Sequence, residues 1–145
     1  MNTADATANE AIRDAERIYH AWDEALGRKD VDGALGLYAP DIILESPLVR
    51  HLLGRENGIV RGRDELRGFV EKVFLTQPAL RQRYRKGFFT DGKTLMWEYP
   101  RATVSGQQMD LVEVMEISDG MIQHHRIYWG WLGLKILDEG GHRPS

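Results

Sequence analysis

No cysteine occurs in the 145 residues. That excludes disulfides, thiolate metal sites and a cysteine nucleophile, and it fits a reducing compartment. Long apolar runs are missing as well: no stretch approaches the ~20 residues that span a bilayer. Residues 1–5, Met-Asn-Thr-Ala-Asp, supply neither a basic region nor an apolar core, so no secretion signal and no membrane partner are expected, and the expected location is the cytoplasm. There is no glycine-rich phosphate loop after a strand and no Gly-x-Ser-x-Gly elbow. His20, His51, His124, His125 and His142 do not fall into a metal-ligand spacing. His124 and His125, adjacent on a strand, point to opposite faces, so no metal and no cofactor is expected.

What is present is ordinary for a globular domain: 42% hydrophobic and 28% charged residues, with a net charge of −3. The charge is unevenly spread. Residues 1–49 hold four Lys/Arg against ten Asp/Glu, and residues 50–86 hold ten against four. The second block could face an anion or a nucleic acid, but its bases are interleaved with acids, which reads as a solvated surface and gives no nucleic-acid partner.

Asp91-Gly92, Ser105-Gly106 and Asp119-Gly120 cut the back half at steps of fourteen residues. Such pairs between apolar, β-rich runs are hairpin turns, because glycine tolerates the positive φ of a tight turn. Residues from about Leu80 to Trp131 therefore read as four antiparallel strands. The front half is helical. Ile12, Ala15, Ile18, Tyr19, Trp22, Ala25 and Leu26 make one stripe on a helix from about Ala8 to Arg28. Asp30 caps a short helix that carries Ala34, Leu37 and Tyr38 and stops at Pro40. Ile42-Ile43-Leu44 is a short strand closed by Pro47. Residues 48–62 read as a long glycine-punctuated loop, a candidate lid. A third helix covers about Arg63 to Thr76, and the glycine-rich tail 137–145 is expected to fray. With no repeat or linker, residues 1–145 read as a single α+β domain with its core at about 8–135.

Three local patterns, in this order, resemble the nuclear transport factor 2-like superfamily. They are Leu37-Tyr38-Ala39-Pro40-Asp41-Ile42-Ile43-Leu44-Glu45-Ser46-Pro47, then Arg61-Gly62-Arg63-Asp64-Glu65-Leu66, then Asp119-Gly120-Met121-Ile122-Gln123-His124-His125. The resemblance covers about residues 8–135. It implies a cone-shaped fold of three N-terminal helices packed on a strongly curved, mainly antiparallel sheet. The branches it resembles are the SnoaL-like cyclases and the ketosteroid isomerases. In the isomerases the catalytic base immediately precedes the proline that ends the first strand, which is Ser46 here. The oxyanion tyrosine falls at Trp22 and the second oxyanion donor at Glu113. Serine is no carboxylate base, and tryptophan lacks a phenol's geometry and acidity, so the isomerase mechanism is not implied.

The resemblance places the face bearing Met109, Leu111, Glu113, Met115 and Ile117 toward the helices. Glu113 is then a carboxylate among apolar neighbours, a candidate acid or base, or else a glutamate satisfied by a nearby donor. On the last strand, alternation puts Gln123, His125, Ile127, Trp129 and Trp131 inside. His125, a position where SnoaL-like relatives often carry histidine, would pair with Glu113 for proton transfer; the alternative is a core histidine bonded to backbone. Tyr19, Trp22, Tyr38, Ser46, Phe69, Trp97, Leu111, Met115, Ile127 and Trp129 are candidate pocket walls, with Phe74 a further aromatic. Arg81, Arg83 and Arg85 share one face of the first meander strand; whether it looks inward is open, and Leu80, Gln82, Tyr84 and Phe88 make the better inner set.

The resemblance implies a SnoaL-like pocket protein, an isomerase, cyclase or dehydratase acting on a small apolar carbonyl or polyketide-like compound through Glu113 and His125. The alternative is a non-catalytic ligand-binding or interaction module of the same fold. The expected partners are a small apolar molecule and a second copy of the chain, paired through the outer face of the sheet near Val112, Val114 and Tyr128.

Overall fold

The computed structural model describes residues 2–76, 87–102 and 108–139. Its elements run α1 (Thr3–Arg28), α2 (Val31–Leu35), β1 (Tyr38–Glu45), α3 (Pro47–Leu53), β2 (Ile59–Arg61), α4 (Gly62–Thr76), β3 (Phe89–Thr90), β4 (Thr94–Ala102), β5 (Gln108–Ser118), β6 (Met121–Trp129) and α5 (Trp131–Asp138). Six strands form one mixed sheet in the order β2-β1-β6-β5-β4-β3. β1 and β6 are parallel, and every other neighbouring pair is antiparallel. The result is the α+β class, with helices from the front half covering one face.

Local chemistry explains most boundaries. The Asn2 side chain accepts from Asp5 N, so α1 begins earlier than the stripe alone suggests. Asp30 Oδ1 accepts from Gly33 N at 2.9 Å and caps α2, as its position predicts. Asp119 (φ 52°) and Gly120 (φ 72°) carry consecutive positive φ values, the signature of the tight turn joining β5 to β6. Gly92 (φ 90°) turns β3 into β4, while Asp91 Oδ1 accepts from both Lys93 N and Thr94 N. The Ser105-Gly106 turn, the arginines at 81, 83 and 85 and their alternatives Leu80, Gln82 and Tyr84 lie outside the described residues.

Four sequence expectations are corrected. Residues 48–62 are not a structureless loop: they hold α3 and β2. The Ser46 hydroxyl accepts from Leu48 N at 3.2 Å and Pro47 occupies the first helical turn, so proline here starts a helix rather than merely closing a strand. The hairpin that follows brings Gly58 O to Ser46 N at 2.9 Å, and a Cβ on Gly58 would sit 2.8 Å from Ser46 O. Only glycine permits that approach. Second, Tyr38 belongs to β1, not to the short helix. Pro40 sits in the strand where its register with β6 shifts between Tyr38 and Ile43, a place that spares it the ladder donor it lacks. Third, Gln123 is not an inward residue of a regular alternation. Glu116 pairs with His124 and Ile117 with Ile122, so Gln123 is the extra residue of a β-bulge, and Ile122 is fully buried instead. Fourth, Trp131 starts α5 and is 81% exposed, so it forms no pocket wall, and residues 137–138 are helical.

The core lies between the sheet and α1, α2 and α4. Ile18, Ile42, Leu66, Leu95, Met115 and Ile122 are fully buried there. On α1, Tyr19 and Trp22 meet Trp97 of β4 edge-on, with ring centroids 5.1 and 5.2 Å apart. The basic block of the sequence is knit into this scaffold. Arg55 bonds Glu65 at 2.9 Å, Arg67 bonds Asp32 at 2.8 Å, and Arg63 donates through Nε and Nη2 to the Tyr38 carbonyl.

Candidate active site

An apolar cavity of about 70 Å³ lies between helices and sheet. Trp22 and Leu26 of α1 and Phe69, Val70, Val73 and Phe74 of α4 close it on the helical side. The strands add Tyr38, Ser46, Leu111, Glu113, His125, Ile127 and Trp129 among others. Of the residues singled out from sequence, Tyr19, Trp97 and Met115 are buried but do not line it. Tyr19 and Trp97 are occupied by the aromatic cluster behind the wall. Met115 stands directly opposite Leu95 of β4 and His125 of β6, between them on the same face of the sheet.

Four side chains from four elements form one polar chain through this apolar setting. Trp22 Nε1–H donates to Tyr38 Oη at 3.3 Å. Tyr38 Oη lies 2.9 Å from His125 Nδ1, and His125 Nε2 lies 2.5 Å from Glu113 Oε2. His125 and Glu113 are 1% and 3% exposed, so water does not compete for these bonds. The register explains the contact. Glu113 pairs directly with Ile127 and Met115 with His125, making Glu113 and His125 diagonal neighbours on the inner face, within reach of long side chains. Tyr38 reaches the same point because β1 runs parallel beside β6. The two Arg63 bonds to its carbonyl hold its backbone.

Counting donors orients the chain. With Glu113 ionised, the histidine proton sits on Nε2 and the phenol donates to Nδ1. With Glu113 protonated, its O–H donates to Nε2, Nδ1–H donates to the phenol oxygen, and the phenol proton is free to face the cavity. Burial pushes the Tyr38 phenol well above its ordinary pKa. The Trp22 bond opposes this shift and the Glu113 charge adds to it. Tyr38 therefore remains a neutral proton donor across the working pH range. Because the folded value is raised above the unfolded one, its stabilising effect is present below pH 10 and is lost as pH climbs toward the folded value. Ultraviolet titration of tyrosinate absorbance should thus show a component well above pH 10 that vanishes in Tyr38→Phe. An unchanged titration curve in that variant would contradict the burial of the phenol.

Sequence reasoning had placed Tyr38 on the wall but missed it as a member of the chain, because nothing in the local pattern announces the parallel β1–β6 pairing. Ser46 lies on the cavity wall, and its hydroxyl serves as the α3 cap. Glu45, one residue earlier, points to the other face, where its Oε2 meets His124 Nε2 at 2.5 Å. Among the described residues no three His, Asp or Glu side chains gather into a metal-binding group. No described helix is long and apolar enough to cross a membrane.

Helices over one face of a mixed six-stranded sheet, with the cavity between them, define an NTF2-like fold. A model of the SnoaL-like domain matches residues 15–125, and the chain belongs to that family. Solved structures agree. An NTF2-like protein of unknown function from Burkholderia pseudomallei K96243 is 21% identical with a TM-score of 0.69, covering 86% of this chain and 95% of that one. A SnoaL-like protein of unknown function from Burkholderia thailandensis E264 is 16% identical with a TM-score of 0.66, covering 81% and 95%. TerC, co-crystallized with polyporic acid, is 17% identical with a TM-score of 0.69, covering 87% and 98%. At such identities the likeness establishes the fold and not the reaction. No curated protein matches the chain.

Proposed function

We propose that this SnoaL-like protein is an acid–base enzyme that moves a proton between carbon and oxygen of a small apolar carbonyl or polyketide-like compound, using side chains alone. The observation that carries the reading is the Glu113–His125–Tyr38 chain, because both of its ends belong to the cavity wall. In the arrangement with Glu113 protonated, Tyr38 gives its proton to a substrate oxygen, Nδ1–H refills the phenol, and the Glu113 proton refills Nε2. Glu113 is then a carboxylate and can take a proton from substrate carbon. The net result is tautomerisation, and the cycle closes when the imidazole proton returns from Nε2 to Nδ1. TerC's co-crystal with polyporic acid supports the idea that this fold accommodates a small molecule. The test is deuterium uptake at carbons next to the carbonyl in a panel of small apolar ketones in D₂O, followed by NMR. The reading requires uptake above the buffer rate for at least one ketone.

A second reading, a non-catalytic ligand binder, is favoured by Ser46. The position where the resembling isomerases carry a base is here a helix cap. It predicts ketone binding with no uptake above buffer.

The proposal also includes a homodimer. Met96 of β4 pairs with Val114, and Val112 with Tyr128 of β6, so these residues form an apolar stripe on the face away from the helices. Met96 is 41% and Tyr128 56% exposed in the single chain. A second copy covering this stripe is expected, and Val112→Arg should convert a sedimenting dimer to monomer. Wild-type protein that sediments as a monomer at high concentration would remove the dimer from the proposal.

A further inference from the structure

Trp129 presents a polar group that nothing in the described structure satisfies. It stands on the cavity wall near the end of β6, and its Nε1 is sealed from solvent with no hydrogen-bond partner among the described residues. A buried N–H left unpaired forfeits its hydration without replacement, and such groups are rare in folded proteins. The other orphan of this kind, Trp97 Nε1, belongs to a ring that does not line the cavity. By contrast, the Trp22 indole already donates to Tyr38. Trp129 thus brings to the cavity wall an indole N–H outside the Trp22–Tyr38–His125–Glu113 chain and without an acceptor among the described residues.

Resting on the acid–base reading above, we infer that Trp129 Nε1–H is a specificity donor that donates a hydrogen bond to a second oxygen of the ligand, distinct from the oxygen that meets Tyr38. The substrate class narrows accordingly to compact, largely apolar molecules carrying two separated carbonyl or similar acceptor oxygens. Trp129 lies four residues beyond His125 on the same strand and, like it, on the inner face, which at ~3.3 Å per residue puts their backbones about 13 Å apart. Side chains reaching inward from those points suit oxygens on opposite sides of one ring. The surrounding wall, Leu111, Ile127 and Phe74 among it, is apolar, so an acceptor-bearing ring would satisfy the indole without stranding other polar atoms.

The experiment compares 1,4-diacetylbenzene, with two acceptors, against 4-ethylacetophenone, of nearly the same shape with one. Titration calorimetry on wild-type protein should give about tenfold tighter binding of the diketone, and Trp129→Phe should abolish that preference by weakening only the diketone. The indole N–H signals of the four tryptophans give a second readout that needs no variant to fold. One signal, assigned to Trp129 from its through-space contacts in the wild-type protein, should move downfield with the diketone but not with the monoketone. Equal affinities in the wild type, or indole signals that respond identically to both ketones, would overturn the inference, including the case in which a bound water satisfies the indole. Failure of the diketone to bind overturns it too. Deuterium uptake is scored separately on the same samples. Uptake without diketone preference removes the Trp129 role and leaves the acid–base reading standing. Diketone preference without uptake does the reverse.

Discussion

Glu113→Gln is expected to lower the rate of deuterium uptake by roughly 100-fold or more, the usual cost of losing a general acid or base. The amide is nearly isosteric with the carboxylate and can still bond His125 Nε2, so the fold should survive. What it cannot do is take or release a proton. A chain that must alternate between two proton arrangements is then locked in one. Tyr38→Phe should cause a loss of similar order, because it removes the oxygen at the other end while keeping the ring that stacks near His125, with centroids 5.9 Å apart. Ketone affinity should change far less than the rate in Glu113→Gln. If uptake is unchanged in both variants, the proton-transfer assignment is wrong and the binding-module reading replaces it.

The second large effect is on stability. His125→Leu should destabilise the fold by roughly 1–3 kcal/mol or more, the cost of leaving a buried polar group without its hydrogen-bond partner. The cost arises because Glu113, 3% exposed, loses its bonding partner and Tyr38 loses the ring nitrogen it contacts. Against a typical total of roughly 5–15 kcal/mol this is a large fraction. The double variant Glu113→Leu/His125→Leu should recover much of the loss, since apolar replacement of both partners of a buried hydrogen bond can be nearly neutral. Urea unfolding of the wild type, the single and the double variant measures this directly. A single variant as stable as the wild type would show that the pair contributes nothing to folding. A double variant less stable than the single would show that burial of Glu113 alone is not the problem.

How much of this could be read from residues differs by element. The turns at Asp91-Gly92 and Asp119-Gly120 and the cap at Asp30 were legible because each depends on chemistry within three or four residues. So was the α1 stripe, whose Ile18 and Trp22 are buried as the 3.6-residue period requires. Period-two alternation on β5 placed Leu111, Glu113 and Met115 on one face, and all three are buried. It failed on β6 at Gln123, because a bulge adds one residue and shifts the phase, and no local signal marked it. The stretch 48–62 was misread because α3 and β2 are short. Their stability comes from the Ser46 cap and the close approach at Gly58, not from a repeating apolar pattern.

The sequence by itself determined the class of fold and which residues of β5 share a face with Glu113; that this face looks toward the helices was implied by the resemblance to the nuclear transport factor 2-like superfamily. It could do so because turn chemistry, capping and side-chain periodicity act over a few residues. Only the tertiary structure decided that Tyr38 and Trp22 complete the polar chain, that Tyr19, Trp97 and Met115 do not line the cavity, and that the Trp129 indole has no acceptor among the described residues. Those outcomes depend on β1 pairing in parallel with a strand about eighty residues later and on how α1 settles against the sheet. Contacts between residues so far apart in the chain leave no periodic trace in it, because they are selected by the packing of whole elements against one another.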